Sequence, residues 1–366
     1  MSSTVIQRDI RPLTGVRGIA ACIVMVFHVG SAKIGGPLMR NGYLAVDLFF
    51  ILSGFVMALT YTRNFEGNAV FRAYREFLIR RIARIYPLYV IATVIMGSLI
   101  AVGADDRAAF LTPRVVVANL VMMQTWLIGP SLDPVAWSIS TEWAAYLLFP
   151  LLVCLPLSRR AWIRAASCGA CLSAICMVAI FAPEAPRNVT SFGPIRHGPM
   201  NVWNWSTPWP LIRCLAEFTL GMLVWRVFQY PALAKQVTAR LTSAVAIVTC
   251  ILWCVPRADL ATVLAFAVLI GCLSFGRGLV AKWLGSSIPH ALGEWSYAIY
   301  LVHPIAMLLI APGSILLSRI GLLHVWTFAA IMVVPITIAV SCLLHHVIEI
   351  PARTLVRQTL PRAVMT

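Results

Sequence analysis

Charged side chains are scarce in this sequence. They make up 11% of its 366 residues, and only 13 of them are acidic. A water-soluble domain carries about 25%, so an ordinary soluble fold is excluded. The ten cysteines lie mostly in apolar stretches and show no paired spacing in polar segments, which excludes a disulfide framework and a zinc site. Cys168 and Cys171 form a C-x-x-C, but inside an apolar run, where they read as packing residues. No repeat of about 20–50 residues recurs, and no inverted repeat is legible, which counts against a secondary transporter. Met1 to Leu13 lack a cleavable signal pattern, so the first apolar segment is expected to stay in the mature protein.

What is present is apolar surface and positive charge. Hydrophobic residues make up 60% of the chain, and the net charge is +16. Such a charge can mean nucleic acid, but here the cations sit in short loops between apolar runs, the signature of membrane topology. A span needs about 20 apolar residues. Spans are expected near 14–32, 43–61, 86–103, 137–157, 161–182, 209–229, 240–256, 259–275, 294–312 and 324–348. The fold class is then all-α: a polytopic membrane helix bundle of about ten spans, one domain over 1–366, with no separate soluble domain.

The apolar stretch 115–128 is short and decides the parity of everything after it. If it does not cross and the N-terminus is cytoplasmic, 20 of the 29 Lys and Arg fall on the inner side. If it crosses, the Arg159, Arg160 and Arg164 cluster changes sides. The expectation is therefore an outer-face or re-entrant element at 115–128, with both termini inside.

Ten uncharged residues separate Arg17 from His28. On a helix, eleven steps turn about 1100°, roughly 20° past three turns, and rise about 16 Å. Both side chains thus share one face. Ionisable groups at that depth are costly and usually functional. The inferred sidedness puts His28, Asp47 and Glu142 at similar depth on three helices, and an imidazole beside a carboxylate is the usual general-base arrangement. Each has a plainer reading: His28 as a hydrogen-bonded core histidine, Asp47 paired with a nearby cation, Glu142 capping its own helix.

The segment Phe71 to Pro87 interleaves arginines with aromatic and aliphatic residues. It reads as an interfacial helix on anionic lipid, or as a cradle for a phosphorylated donor, with Arg81 and Arg84 one turn apart as the clamp. Tyr300 and His303 are likewise one turn apart, and Pro304 frees a backbone carbonyl beside them. His345, His346 and Glu349 do not suit a metal, because adjacent histidines on a helix point about 100° apart. Hydrogen bonding or snorkelling is expected there instead.

In order and spacing, five motifs resemble the bacterial membrane acyltransferase-3 family over about residues 8–355. They are Arg17 with ten residues to His28; Val46 to Phe55; Arg80 to Tyr89; Trp137 to Glu142; and Ser296 to Pro304. Thr14 and Ala45 depart from residues common in that family. The resemblance implies an inner-membrane enzyme that takes an acyl group, commonly acetyl, from a coenzyme A thioester at the cytoplasmic side. The group goes to a hydroxyl of a sugar or other acceptor. It also implies that Arg17 and His28 are an essential pair, that Arg81 and Arg84 lie near the donor, and that Asp47 and Glu142 occupy acidic motif positions. Because the chain ends at Thr366, it is expected to act without the extra periplasmic domain of some relatives.

On this reading the catalytic candidates are His28, Asp47 and Glu142, and the donor-binding candidates are Arg17, Arg81, Arg84, Tyr300 and His303. The substrates are acyl-CoA and a saccharide or glycoconjugate, with lipid around the chain and no metal or nucleic acid. His28 either deprotonates the acceptor hydroxyl or is itself briefly acylated. A proton-coupled transporter or flippase is the alternative class. Trp203, Trp205 and Trp209 suit either sugar stacking or an interfacial aromatic belt. Acceptor identity, including polysaccharide units, lipid-linked sugars and macrolide-type metabolites, is open at this stage, as are acyl length and oligomeric state.

Overall fold

The computed structural model describes residues 10–34, 36–65, 70–103, 107–183, 198–319 and 325–359. These residues form an all-α bundle: α1 (Arg11–Ile34), α2 (Gly36–Arg40), α3 (Ala45–Tyr61), α4 (Val70–Ala101), α5 (Pro113–Leu120), α6 (Trp137–Leu147), α7 (Phe149–Cys154), α8 (Ala161–Phe181), α9 (Trp209–Phe228), α10 (Pro231–Gln236), α11 (Ala239–Cys254), α12 (Asp259–Leu273), α13 (Leu279–Leu284), α14 (Ser287–Arg319), α15 (Val325–Leu344) and α16 (Ile350–Thr359). Six stretches among the described residues are long and apolar enough to cross a membrane: Arg11–Val29, Gly42–Phe65, Val70–Ala101, Ala161–Phe181, Ser287–Ile310 and Ile331–Val356. This is the make-up of a polytopic helical membrane protein. Helices α11 and α12 are apolar but shorter, and α9 carries Arg213, Glu217 and Arg226 among its 20 residues.

Several boundaries differ from the sequence reading. The helix expected from residue 86 begins at Val70, so the arginine-rich segment and the span are one 32-residue helix that passes through Pro87. The expected span 137–157 is two helices that break at Leu148. Pro150 has no N–H to donate to the preceding turn, and the hydroxyl of Tyr74 donates to the Leu147 carbonyl left at that helix end. Cys168 and Cys171 are free thiols on α8, packed in the core as expected. The chain ends, the first residue of the expected last span, and residues 184–197 between the fifth and sixth expected spans lie outside the described residues.

Two helix pairs position the site. Gly18 on α1 rests on the backbone of Leu292 and Gly293 of α14, and Gly293 rests on the backbone of Thr14. A Cβ at either position would overlap those atoms, and small residues are what let membrane helices approach this closely. Arg17 meets Gly293 and His28 meets His303, so α1 and α14 run parallel. Helices α3 and α9 are joined in the same way, with Gly221 against the Ile51 carbonyl and Asp47 paired with Arg213, and they too run parallel.

Two further groups of polar bonds tie the bundle at its helix ends. In one, Arg164 reaches the hydroxyl of Tyr230, and Arg277 reaches the Val237 carbonyl. In the other, Asn41 and Trp253 exchange two bonds of 2.8 Å, and Tyr43 and the backbone N–H of Met200 both donate to Asp259.

Candidate functional site

His28 is half-buried toward the C-terminal end of α1 and lines a cavity of about 90 Å³. That is several times the roughly 10–15 Å³ that one water requires. Tyr43, Arg213 and Tyr300 contribute to the same wall, and Asn201, Trp203 and Trp205 close it from the loop before α9. Arg107 and Phe110 line it from one side of α5, Thr125 and Ser131 from the other. The short stretch around α5 therefore leaves this cavity and returns to it.

The return segment is held by α6. The backbone N–H of Thr125 donates to the Ser140 hydroxyl, the Trp126 indole to the Ser140 carbonyl, and the Thr125 hydroxyl to the Trp137 carbonyl. Within it Met122 and Leu127 adopt positive φ angles of 58° and 61°, which is uncommon for residues with a Cβ. Strain of this kind persists where the surroundings over-determine it, commonly at functional sites. Asp133, in the same loop and outside the spanning segments, is buried, and burial pushes its carboxyl up to about 7.

His28 faces a second histidine. Its Nδ1 lies 3.1 Å from Nε2 of His303, and the two rings meet edge to edge with centroids 5.1 Å apart and planes 27° apart. His303 is fully buried, and its Nδ1 lies 3.1 Å from the Ile299 carbonyl. The Tyr300 carbonyl, freed by Pro304, also serves this ring. Carbonyls only accept, so Nδ1 of His303 carries the proton and Nε2 presents its lone pair. His28 must then donate from Nδ1, which the Val24 carbonyl also faces. Nε2 of His28 is left with the lone pair a general base needs.

The acidic candidates sit on separate hydrogen-bond networks. Asp47 takes two bonds from Arg213, of 2.9 Å from Nε and 2.6 Å from Nη2, and Nη1 of Arg213 donates to the Val202 carbonyl. Glu217 lies 3.8 Å from the same guanidinium. Asp47 thus reaches the cavity only through the arginine it holds. Glu142 accepts from Ser53 and from Tyr146, its neighbour one turn on. It does not line the cavity, and it does not cap its own helix. The expectation that His28, Asp47 and Glu142 form one constellation is corrected: the partner of His28 is His303.

The donor candidates also separate. Nε and Nη2 of Arg17 grip the Gly293 carbonyl. Arg81 is buried, donates to the Tyr61 hydroxyl and lies over the Tyr61 and Phe77 rings. Arg84, half-buried one turn on, makes no hydrogen bond or ion pair among the described residues. Tyr300 bonds Ser138 and the Val135 carbonyl at the cavity wall, so it and His303 sit at the His28 end. His345 pairs with Glu349, and His346 with the Cys342 carbonyl, each with its own partner as expected. Sequence reasoning passed over Arg213 and Glu217. The signal was there: two ionisable residues one turn apart in an apolar helix.

The chain matches known proteins along nearly its whole length. Residues 11–345 match the acyltransferase-3 family, described as "Acyltransferase domain". "Acyltransferase MdmB" of Streptomyces mycarofaciens is 30% identical, over 96% of this chain and 93% of its own. "Protein 2 in picA locus" of Rhizobium radiobacter is 32% identical over 37% of this chain and 74% of its own. "Putative O-acetyltransferase SACOL0978" of Staphylococcus aureus (strain COL) is 22% identical over 40% of this chain and 25% of its own. No solved structure matches the chain.

Proposed function

We propose a function on the premise that this chain belongs to the acyltransferase-3 family: it carries an acetyl group from acetyl-CoA to a hydroxyl of a saccharide or glycoconjugate. The observation that carries this reading is the lone pair of His28 Nε2 at a cavity walled by tryptophan, tyrosine and amide side chains.

His28 takes the proton of an acceptor hydroxyl standing in the cavity. The oxygen attacks the thioester carbon, the carbon–sulfur bond breaks, and the departing thiolate takes the proton back from the ring as free thiol. As the ring becomes cationic, its Nδ1–H strengthens its bond to His303 Nε2, and that bond favours the charged state. His303 is a positioning residue that fixes the tautomer, in the role a carboxylate plays in a Ser-His-Asp triad. Arg213, held by Asp47, fixes the loop and the cavity wall. Glu142 ties α6 to Ser53 of α3.

The parallel runs of α1 with α14 and of α3 with α9 support an odd number of crossings between the members of each pair. That fits ten spans with the stretch 115–128 turning back. Both termini would then be cytoplasmic, in a bacterial inner membrane, with the cavity opening outward. The donor enters from the opposite end: Arg84 takes its phosphates, Arg81 braces the helix from behind, and Arg17 holds the Gly293 carbonyl where α1 meets α14. The rise of about 16 Å from Arg17 to His28 suits an extended thiol arm.

The test is transfer of labelled acetyl from acetyl-CoA to glycosides by the purified protein in lipid nanodiscs. Label on a sugar hydroxyl is the expected result. Label retained on His28 in the absence of acceptor would replace direct transfer by a covalent relay, and no label on any hydroxyl would overturn the reading.

A further inference from the structure

The loop segment 200–202 is pinned on both flanks. The Met200 N–H donates to Asp259, the Val202 carbonyl accepts from Arg213, and the backbone closes on itself through Asn201 to Gly198 and Val202 to Met200. Between these anchors stands Asn201, buried, at the cavity wall with Trp203. Its amide Nδ2 is buried and has no hydrogen-bond partner among the described residues. Buried donors in native proteins are almost always paired, and an unpaired one is costly to keep. The anchors on both sides hold this side chain rigid, an arrangement that lowers the entropy cost of binding.

The cations of this wall are already spent. All three nitrogens of the Arg213 guanidinium donate to Asp47 or Val202. Arg107 donates to the Ser131 and Leu132 carbonyls and has the Asp133 carboxyl nearby. A site built for a phosphate or carboxylate offers guanidinium forks. Besides its cations, this one offers an amide, the hydroxyl oxygens of Tyr43 and Tyr300, whose protons go to Asp259 and Val135, and the indoles of Trp137, Trp203 and Trp205.

We infer that Asn201 is the acceptor-selecting residue: its amide donates to an oxygen of an uncharged, polyhydroxylated ring that rests on Trp203 and Trp205 with one hydroxyl toward His28. The inference rests on the acyl-transfer reading for the role of that hydroxyl, but the binding site stands on geometry of its own. An acceptor that carries a phosphate or carboxylate on this ring is discriminated against. A site that hydrogen-bonds its ligand rejects analogues that leave its polar group unpaired.

The experiment has two arms, both on the full chain in nanodiscs. In the first, methyl glucoside, galactoside and mannoside, methyl glucuronoside and glucose 6-phosphate are titrated without acetyl-CoA, and binding is read from tryptophan fluorescence. At least one neutral glycoside binds, the two anionic sugars bind about tenfold or more weakly, and Asn201→Ala and the near-isosteric Asn201→Asp each lose about tenfold in affinity. Melting temperatures equal to that of the parent protein show that both variants are folded. Equal binding by both folded variants, tighter binding of an anionic sugar, or no binding of any neutral glycoside overturns the inference. In the second arm acetyl transfer to the same glycosides is measured. Binding that depends on Asn201 without transfer sinks the acyl-transfer reading and leaves the site. Transfer with an unchanged acceptor KM in Asn201→Ala sinks the site and leaves the reading.

Discussion

Replacing His303 by alanine is the most informative perturbation of the reaction centre. It removes one of the two acceptors that hold the proton on Nδ1 of His28, while the Val24 carbonyl stays. It also removes the partner of the ring at the moment the ring becomes cationic. A hydrogen bond to a charged group is worth about 1.5–3 kcal/mol, which is about 10- to 150-fold in rate. Because one acceptor survives, the expected loss lies near the low end, about 10- to 30-fold in kcat. The bond matters in the transition state and not for holding the donor, so KM for acetyl-CoA should stay within about twofold. His303→Gln, whose amide oxygen can accept from Nδ1, should recover part of the loss. The assay is steady-state acetyl transfer in nanodiscs, with melting temperature as the control for folding. If His303→Ala keeps kcat within about twofold of the parent while folded, the tautomer argument is wrong. A loss confined to KM would make His303 a donor contact instead.

Three further outcomes follow from the packing and the charges. Gly18→Ala places a Cβ on the backbone of Leu292 and Gly293; overpacking of this kind costs about 1–3 kcal/mol and parts His28 from His303, so both melting temperature and kcat should fall. Gly169→Ala, which meets nothing within 4 Å, should change neither. Asp47→Leu leaves the buried guanidinium of Arg213 without its two-bond partner and with only Glu217 at 3.8 Å; breaking a buried pair costs about 3–5 kcal/mol, and the double variant Asp47→Leu with Arg213→Met should melt higher than Asp47→Leu alone. Asp133, pushed up to about 7, keeps a proton in the folded protein that the unfolded chain releases near pH 3.9. Its contribution to stability therefore falls as pH rises from about 4 to 7 and is level above that. Asp133→Asn should flatten this dependence and melt higher than the parent at pH 8.

The sequence made the helices legible because apolar runs have a length and a period. It also showed that Arg17 and His28 face one neighbour, since eleven helical steps close on one side. It did not show which neighbour. Gly293 and His303 lie 276 and 275 residues away, and no local pattern carries a pairing of that range. The same limit hid Arg213, whose partner Asp47 is 166 residues back. Similar depth drew Asp47 and Glu142 toward His28, but depth fixes only one coordinate. The packing of α3 against α9 turned Asp47 to Arg213, and Glu142 met Ser53 and Tyr146 instead. Arg81 and Arg84 share a turn but not an environment, because the aromatic cluster of Tyr61 and Phe77 takes only Arg81. The missing repeat symmetry pointed away from a transporter, and the family match places the chain among acyltransferases.

The account turns on one nitrogen, the free Nε2 of His28. His28→Gln in the full chain, assayed for transfer of labelled acetyl from acetyl-CoA to a hydroxyl, tests it most directly. The account requires a fall of about 10²–10⁴-fold in kcat, the usual worth of a general base, with melting temperature and acetyl-CoA binding preserved. Turnover at the parent rate by the folded variant would contradict it.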